Sequence, residues 1–190
     1  MTLVTALMST ALLAALGSAM VVGTVSETMI AAAFRHGIET FYAAEGAAAA
    51  VAQELAGVPD WQRIADGDEV SRFVDGAATG IRRIGAVTLD LAQATIEVNA
   101  LAGAAAPCRL YAYGRLGDLV PGARESSIYL AVWVAEYADP EAENEPPALV
   151  LIGRAYGPTG SRRTVAMTLS RPTDSGDPDG IRILSWHELR

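Results

Sequence analysis

The first charged residue of this chain is Glu27. From Met1 to Ser26 there is neither charge nor proline, and Leu, Val, Ala and Met dominate. As a helix rising about 1.5 Å per residue the run spans roughly 39 Å, more than a hydrocarbon core of about 30 Å. An all-round apolar helix needs lipid or other apolar helices about it. A cleavable signal peptide fits less well. The run lacks a basic n-region and is long for an apolar h-region, although "AALGSAM" offers a weak small-x-small site.

Helical character continues where charge begins. Glu27 to Leu55 holds no proline and is rich in Ala, Glu, Gln and Met, and Gly57 with Pro59 closes the segment. Ile30, Phe34, Ile38 and Phe41, then Ala48, Ala52 and Leu55, recur at steps of three and four and mark one apolar face. The expectation is a single long helix, uniformly apolar over 1–26 and amphipathic over 27–56. Gly17 and Gly23 interrupt its apolar half, either for close helix packing or as a stretch able to unwind.

Glu45 falls on the apolar stripe, four residues after Phe41. An ionised carboxylate there is costly unless paired or well hydrogen-bonded. Its expected partner is an arginine or backbone N–H groups, from this chain (Arg82, Arg83 or Arg109) or from an adjacent subunit. The alternative is that helix rotation brings Glu45 to the stripe's edge, within reach of water. Gly46 to Ala50 form a flat strip on which a sheet or second helix can lie close.

Residues 57–86 read as a connecting region, with a short helix around Glu69 to Val74. Beyond it the period changes to two. "TLDLAQATIEVNA", "CRLYAYGRL" and "SSIYLAVWVAEY" read as strands, "ALVLIGRAYG" and "RRTVAMTLSR" as a hairpin about "GPTGS", and "GIRILSW" as a last strand. Short turns between successive strands imply an antiparallel sheet over 87–190, with one face covered by the amphipathic half of the helix. The fold class expected is α+β.

The inventory for chemistry is thin. His36 and His187 belong to no spaced ligand motif, Cys108 stands alone, and neither a G-x-S-x-G turn nor a glycine-rich phosphate loop occurs. The sequence therefore predicts no enzyme and no cofactor. A net charge of −8, with every basic residue an arginine, argues against a nucleic-acid partner. Two acidic loops carry Asp139, Glu141, Glu143 and Glu145, and Asp174, Asp177 and Asp179. They offer the oxygen ligands that calcium takes but not the EF-hand spacing, and a solvated acidic turn is the alternative.

A charge-free helix running into an amphipathic one, then a connection and an antiparallel sheet, resembles a type IV pilin. The run from "LVTALMST" to "FYAAEGA", with its "AAE" word after an aromatic residue, resembles the N-terminal region of PilX-like pilus assembly proteins. "LYAYGRL", "IYLAVWVAEY", "RAYGPTGSRRTV" and "IRILSWHELR" resemble the C-terminal part of some bacterial members. The resemblance implies the pilin fold and a filament subunit that waits in the inner membrane before assembly at the cell surface. Its partners would be other pilin subunits, the pilus assembly machinery and membrane lipid. Pilins are made with a charged leader ending in glycine, so Met1 is expected to be the mature residue, or the true start to lie upstream. Thr5 stands where most major pilins carry a glutamate, which favours a minor, tip-type role without excluding a main subunit. The assembly residues so implied are Met1, Thr5, Ala14, Gly17, Ser18, Gly23 and Glu45. The alternatives are a membrane-anchored binding domain that never polymerises, and a calcium-tuned adhesin resting on the acidic loops.

Overall fold

A computed structural model describes residues 2–102, 106–120, 123, 126–137, 148–171 and 180–189. One helix, α1, runs from Thr2 to Ala56. The chain divides into two compact units, Met1–His36 and Gly37–Arg190. The first consists of helix, and its stretch from Leu3 to Val25 leaves each of its large apolar side chains more than half exposed. Ile30 and Phe34, expected on the buried stripe, are 69% and 71% exposed. The stripe that is buried begins later, with Thr40, Ala43, Ala44, Ala47, Ala48, Val51, Ala52 and Leu55.

The second unit is built on a five-stranded antiparallel sheet. Its strands are β3 (Arg109–Arg115), β4 (Tyr129–Tyr137), β5 (Ala148–Tyr156), β6 (Arg162–Ser170) and β7 (Arg182–Leu189), in sequential order. The fold is thus α+β, a long N-terminal helix with an antiparallel sheet. The β5–β6 hairpin turns at "GPTGS" as the composition predicts. Gly160 there takes φ +86°, open to glycine at little cost, and the Gly157 N–H donates to the Ser161 carbonyl at 2.8 Å.

Two differences from the sequence reading change the architecture. "TLDLAQATIEVNA", expected to be a strand, is strand only over β2 (Val87–Asp90) and then helix α3 (Leu91–Ala102). Asp90 caps that helix, its Oδ1 accepting from the Ala92 N–H at 2.9 Å. The apolar residues Leu91, Ala94 and Val98 are the buried face of a helix rather than one side of a strand. The region 57–86 also holds more order than a connection. It contains helix α2 (Gln62–Asp66) and strand β1 (Ile81–Ile84), which pairs with β2. The helix expected around Glu69 to Val74 is absent: that stretch has no regular structure beyond a bend at Arg72 and a parallel bridge from Val74 to Tyr113.

The sheet is therefore covered on both faces. On one, the second half of α1 packs on Leu130, Val132, Leu149, Leu151, Val165, Met167 and Leu169. On the other, α3 and the β1–β2 hairpin pack on Tyr113, Tyr129, Ala131, Trp133, Ile152 and Ala166. That second layer explains why β4 reads as a nearly continuous apolar run rather than an alternating one.

Candidate assembly surface

Of the strip expected at Gly46 to Ala50, Ala47 and Ala48 are buried while Gly46 and Ala49 are exposed, and the close approach to the sheet is made by Ala48 together with Ala44, which lies before the strip. A Cβ placed on Gly153 of β5 would lie 2.7 Å from the Ala44 carbonyl oxygen and 3.1 Å from the Ala48 Cβ. Glycine at 153 and alanines at 44 and 48 thus let helix and sheet touch at backbone distance. Thr40 fixes the same helix to the β5–β6 turn through an Oγ1–Ser161 Oγ contact of 2.8 Å. Phe41 meets Trp186 of β7 edge-on at 6.1 Å.

The carboxylate that ties this helix to its surroundings is Glu54, which the sequence reading passed over. It accepts from Ser71 Oγ at 2.6 Å and from the Arg72 N–H at 3.2 Å. The segment it holds runs along the β3 edge: Ser71 N–H donates to the Tyr111 carbonyl, and Tyr113 N–H to the Phe73 carbonyl at 2.8 Å. At the helix end Arg171 donates to the Leu55, Val58 and Pro59 carbonyls and lies 4.9 Å over the Trp61 ring. These bonds satisfy carbonyls that a helix C-terminus leaves open.

Glu45 itself sits beside the buried Ala44 and is half-buried, at the edge of the stripe. Among the described residues no hydrogen bond or ion pair to it occurs. Two of the expected intramolecular partners are engaged elsewhere. Arg82 pairs with Asp75 at 3.5 Å and donates to the Ala77 carbonyl, and Arg109 packs against Gly67. Arg83 lies exposed on β1.

A buried ionic cluster on the opposite face was equally hidden from the sequence. Arg154 of β5 is 2% exposed; its Nε donates to Thr164 Oγ1 at 2.9 Å and its Nη1 to Glu97 Oε2 of α3 at 3.2 Å. Arg162 reaches the same carboxylate oxygen at 2.8 Å. The only hint lay in an arginine interrupting the apolar word "ALVLIGRAY". Burial pushes the Tyr156 phenol beside this cluster above its ordinary value, and the Cys108 thiol is raised for the same reason.

In the first unit, Thr5 Oγ1 donates to the Thr2 carbonyl at 2.9 Å, and Ser18 Oγ to the Ala14 and Ala15 carbonyls, both at 2.9 Å. Such internal bonds satisfy hydroxyl donors in an apolar setting. Nothing lies within 4 Å of a Cβ at Gly17 or Gly23. Met1 and the calcium candidates Asp139, Glu141, Glu143, Glu145, Asp174, Asp177 and Asp179 lie outside the described residues. Among the described residues no group of three His, Cys, Asp or Glu is placed to hold a metal ion. α1 is long and apolar enough to cross a membrane, and its most apolar window has no part buried in the protein. Comparison with protein-family models, curated proteins and solved structures finds no match.

Proposed function

We propose that this chain is a subunit of a type IV pilus-like filament with a pilin fold. The first half of α1 anchors it in the inner membrane until assembly into a filament at the cell surface. The observation that carries this reading is the division of labour along α1. Its uncharged half presents large apolar side chains on all sides, while its second half is seated on an antiparallel sheet. At about 25 cal/mol per Å², leaving some 25 apolar helical residues in water would cost tens of kcal/mol. Lipid before assembly, and neighbouring helices after it, would each remove that cost. Thr5 bonds its own helix and brings no carboxylate to the N-terminal turn, which suits a minor or tip-type subunit.

The test is where the protein is found. In the native host, full-length chain should appear in fibres sheared from the cell surface, and removal of residues 1–26 should give a monomer that needs no detergent. Recovery of the intact chain from the inner-membrane fraction alone would overturn the filament reading in favour of a membrane-anchored binding domain.

A further inference from the structure

We propose that a cleft between the β2–α3 elbow and the β5–β6 turn binds a neutral sugar, a mono- or disaccharide. Every residue lining it belongs to the second unit, so the inference stands apart from the filament reading. One wall carries Thr88, Asp90, Gln93 and Glu97, and the other is Gly160 to Arg162. Ile84 and Leu89 are buried and give the cleft an apolar floor. Its volume is about 390 Å³, towards the small end of the range for small-ligand sites, about 300–1,000 Å³. The walls are preformed. A Cβ on Gly85 would lie 2.8 Å from the Pro158 Cβ, so the β1–β2 turn sits hard against the β5–β6 turn. Arg162 reaches across to Glu97 at 2.8 Å, and Thr40 holds Ser161. A ligand would therefore bind without first having to order the site.

The chemistry of the lining selects a neutral ligand that bears hydroxyls. Two carboxylates, Asp90 and Glu97, stand with two guanidiniums, Arg162 in the lining and Arg154 buried against Glu97. Their charges cancel. An anion or a cation would gain no net attraction here and would give up its water for it. What the cleft holds in surplus is hydrogen-bonding capacity. Among the described residues the Gln93 amide and the Thr88 hydroxyl bond no other group. Asp90 Oδ1 and Glu97 Oε2 are engaged, but Asp90 Oδ2 and Glu97 Oε1 accept nothing from those residues. The set thus mixes donors with acceptors. Each hydroxyl of a sugar both donates and accepts, and its C–H faces suit the apolar floor. A carboxylate ligand only accepts and an ammonium only donates, so either would leave part of the set unused.

Ligand-observed NMR titration of the full-length chain tests this, in a polyoxyethylene detergent that carries no sugar headgroup. The probes are glucose, galactose, mannose and N-acetylglucosamine, with glucosamine and glucuronate as charged counterparts. At least one neutral sugar should saturate with a Kd of about 0.1–10 mM, the range that a few net hydrogen bonds support, and bind more tightly than the charged probes. Gln93→Ala should weaken that binding about three- to tenfold, the loss of one hydrogen bond. Gln93→Trp, which fills the cleft, should weaken it at least about tenfold. Neither variant should move the unfolding midpoint, because Gln93 is exposed on α3 and its side chain bonds nothing among the described residues. Three results would each overturn the proposal: no neutral sugar saturating below about 10 mM, a charged probe binding more tightly than every neutral one, or undiminished binding in Gln93→Trp. None of them touches the filament reading.

Discussion

Gly153 and Ala44 meet where β5 crosses under α1: a Cβ on the glycine would stand 2.7 Å from the alanine's carbonyl oxygen. That oxygen belongs to helical backbone and cannot swing aside as a flexible side chain would. Gly153→Ala should therefore cost about 1–3 kcal/mol, and Gly153→Val more, as the helix is levered off the sheet. Urea unfolding of the detergent-solubilised chain, followed by Trp133 and Trp61 fluorescence, reads this directly. An unchanged midpoint would mean that the contact is looser than described.

The Arg154–Glu97 pair should respond asymmetrically. Glu97→Ala leaves a guanidinium 2% exposed without its carboxylate, held by neutral groups such as Thr164, and should cost about 2–3 kcal/mol. Arg154→Met leaves Glu97, which water and Arg162 both reach, and should cost less than about 1.5 kcal/mol. Equal losses in the two variants would refute the view that the buried cation is the expensive partner.

Glu54 should matter locally. Glu54→Ala removes acceptors from Ser71 Oγ and the Arg72 N–H at once, a loss of about 1–2 kcal/mol. Because that segment covers the β3 edge, amide hydrogen exchange at Ser71, Tyr113 and Asp75 should speed up well before exchange in β5 or β6. Uniform acceleration through the sheet would show that Glu54 supports the whole unit rather than one edge.

Alkaline pH should weaken the fold. Burial, reinforced by the Asp75 charge, pushes the Tyr129 phenol up from 10 to about 12, and Tyr111, Tyr113 and Tyr156 are raised as well. The folded state thus holds these protons more tightly than the unfolded chain. Their contribution is complete below pH 10 and is lost as pH rises from about 10 to about 12. The buried Cys108 thiol, raised from 9, starts the decline, so denaturation midpoints should begin to fall near pH 9 and fall more steeply above 10 as the tyrosines join. Phenolate absorbance should lag behind that of the unfolded chain.

Glu45, with no partner among the described residues, should be silent within the subunit. Glu45→Gln is expected to leave the unfolding midpoint within about 0.5 kcal/mol of the parent, as surface substitutions usually do. If Glu45 meets a neighbour's arginine or N–H groups, the same variant should reduce the amount of chain recovered in sheared fibres. Full incorporation would remove Glu45 from the assembly residues.

The sequence by itself determined the helix and the sheet's later strands. A charge-free run, an unbroken stretch of helix formers ending at Gly57 and Pro59, and β-branched words about a Gly/Pro turn are local signals, and α1 and β3–β7 follow them. The cap of α3 was legible too: "DLAQ" sets a capping aspartate three residues before a glutamine, but short alternation across "TLDLAQATIEVNA" outweighed it. What only the tertiary structure decided was which face each element buries. The stripe expected from Ile30 onward is buried only from Thr40, because Gly153 and the alanines of α1 set where helix and sheet can touch. The same close approach leaves Glu45 at the stripe's edge. Glu54 found Ser71 across 17 residues of chain, and Glu97 found Arg154 and Arg162 across 57 and 65. Periodicity within one element carries no record of such distant pairs, and packing alone creates them.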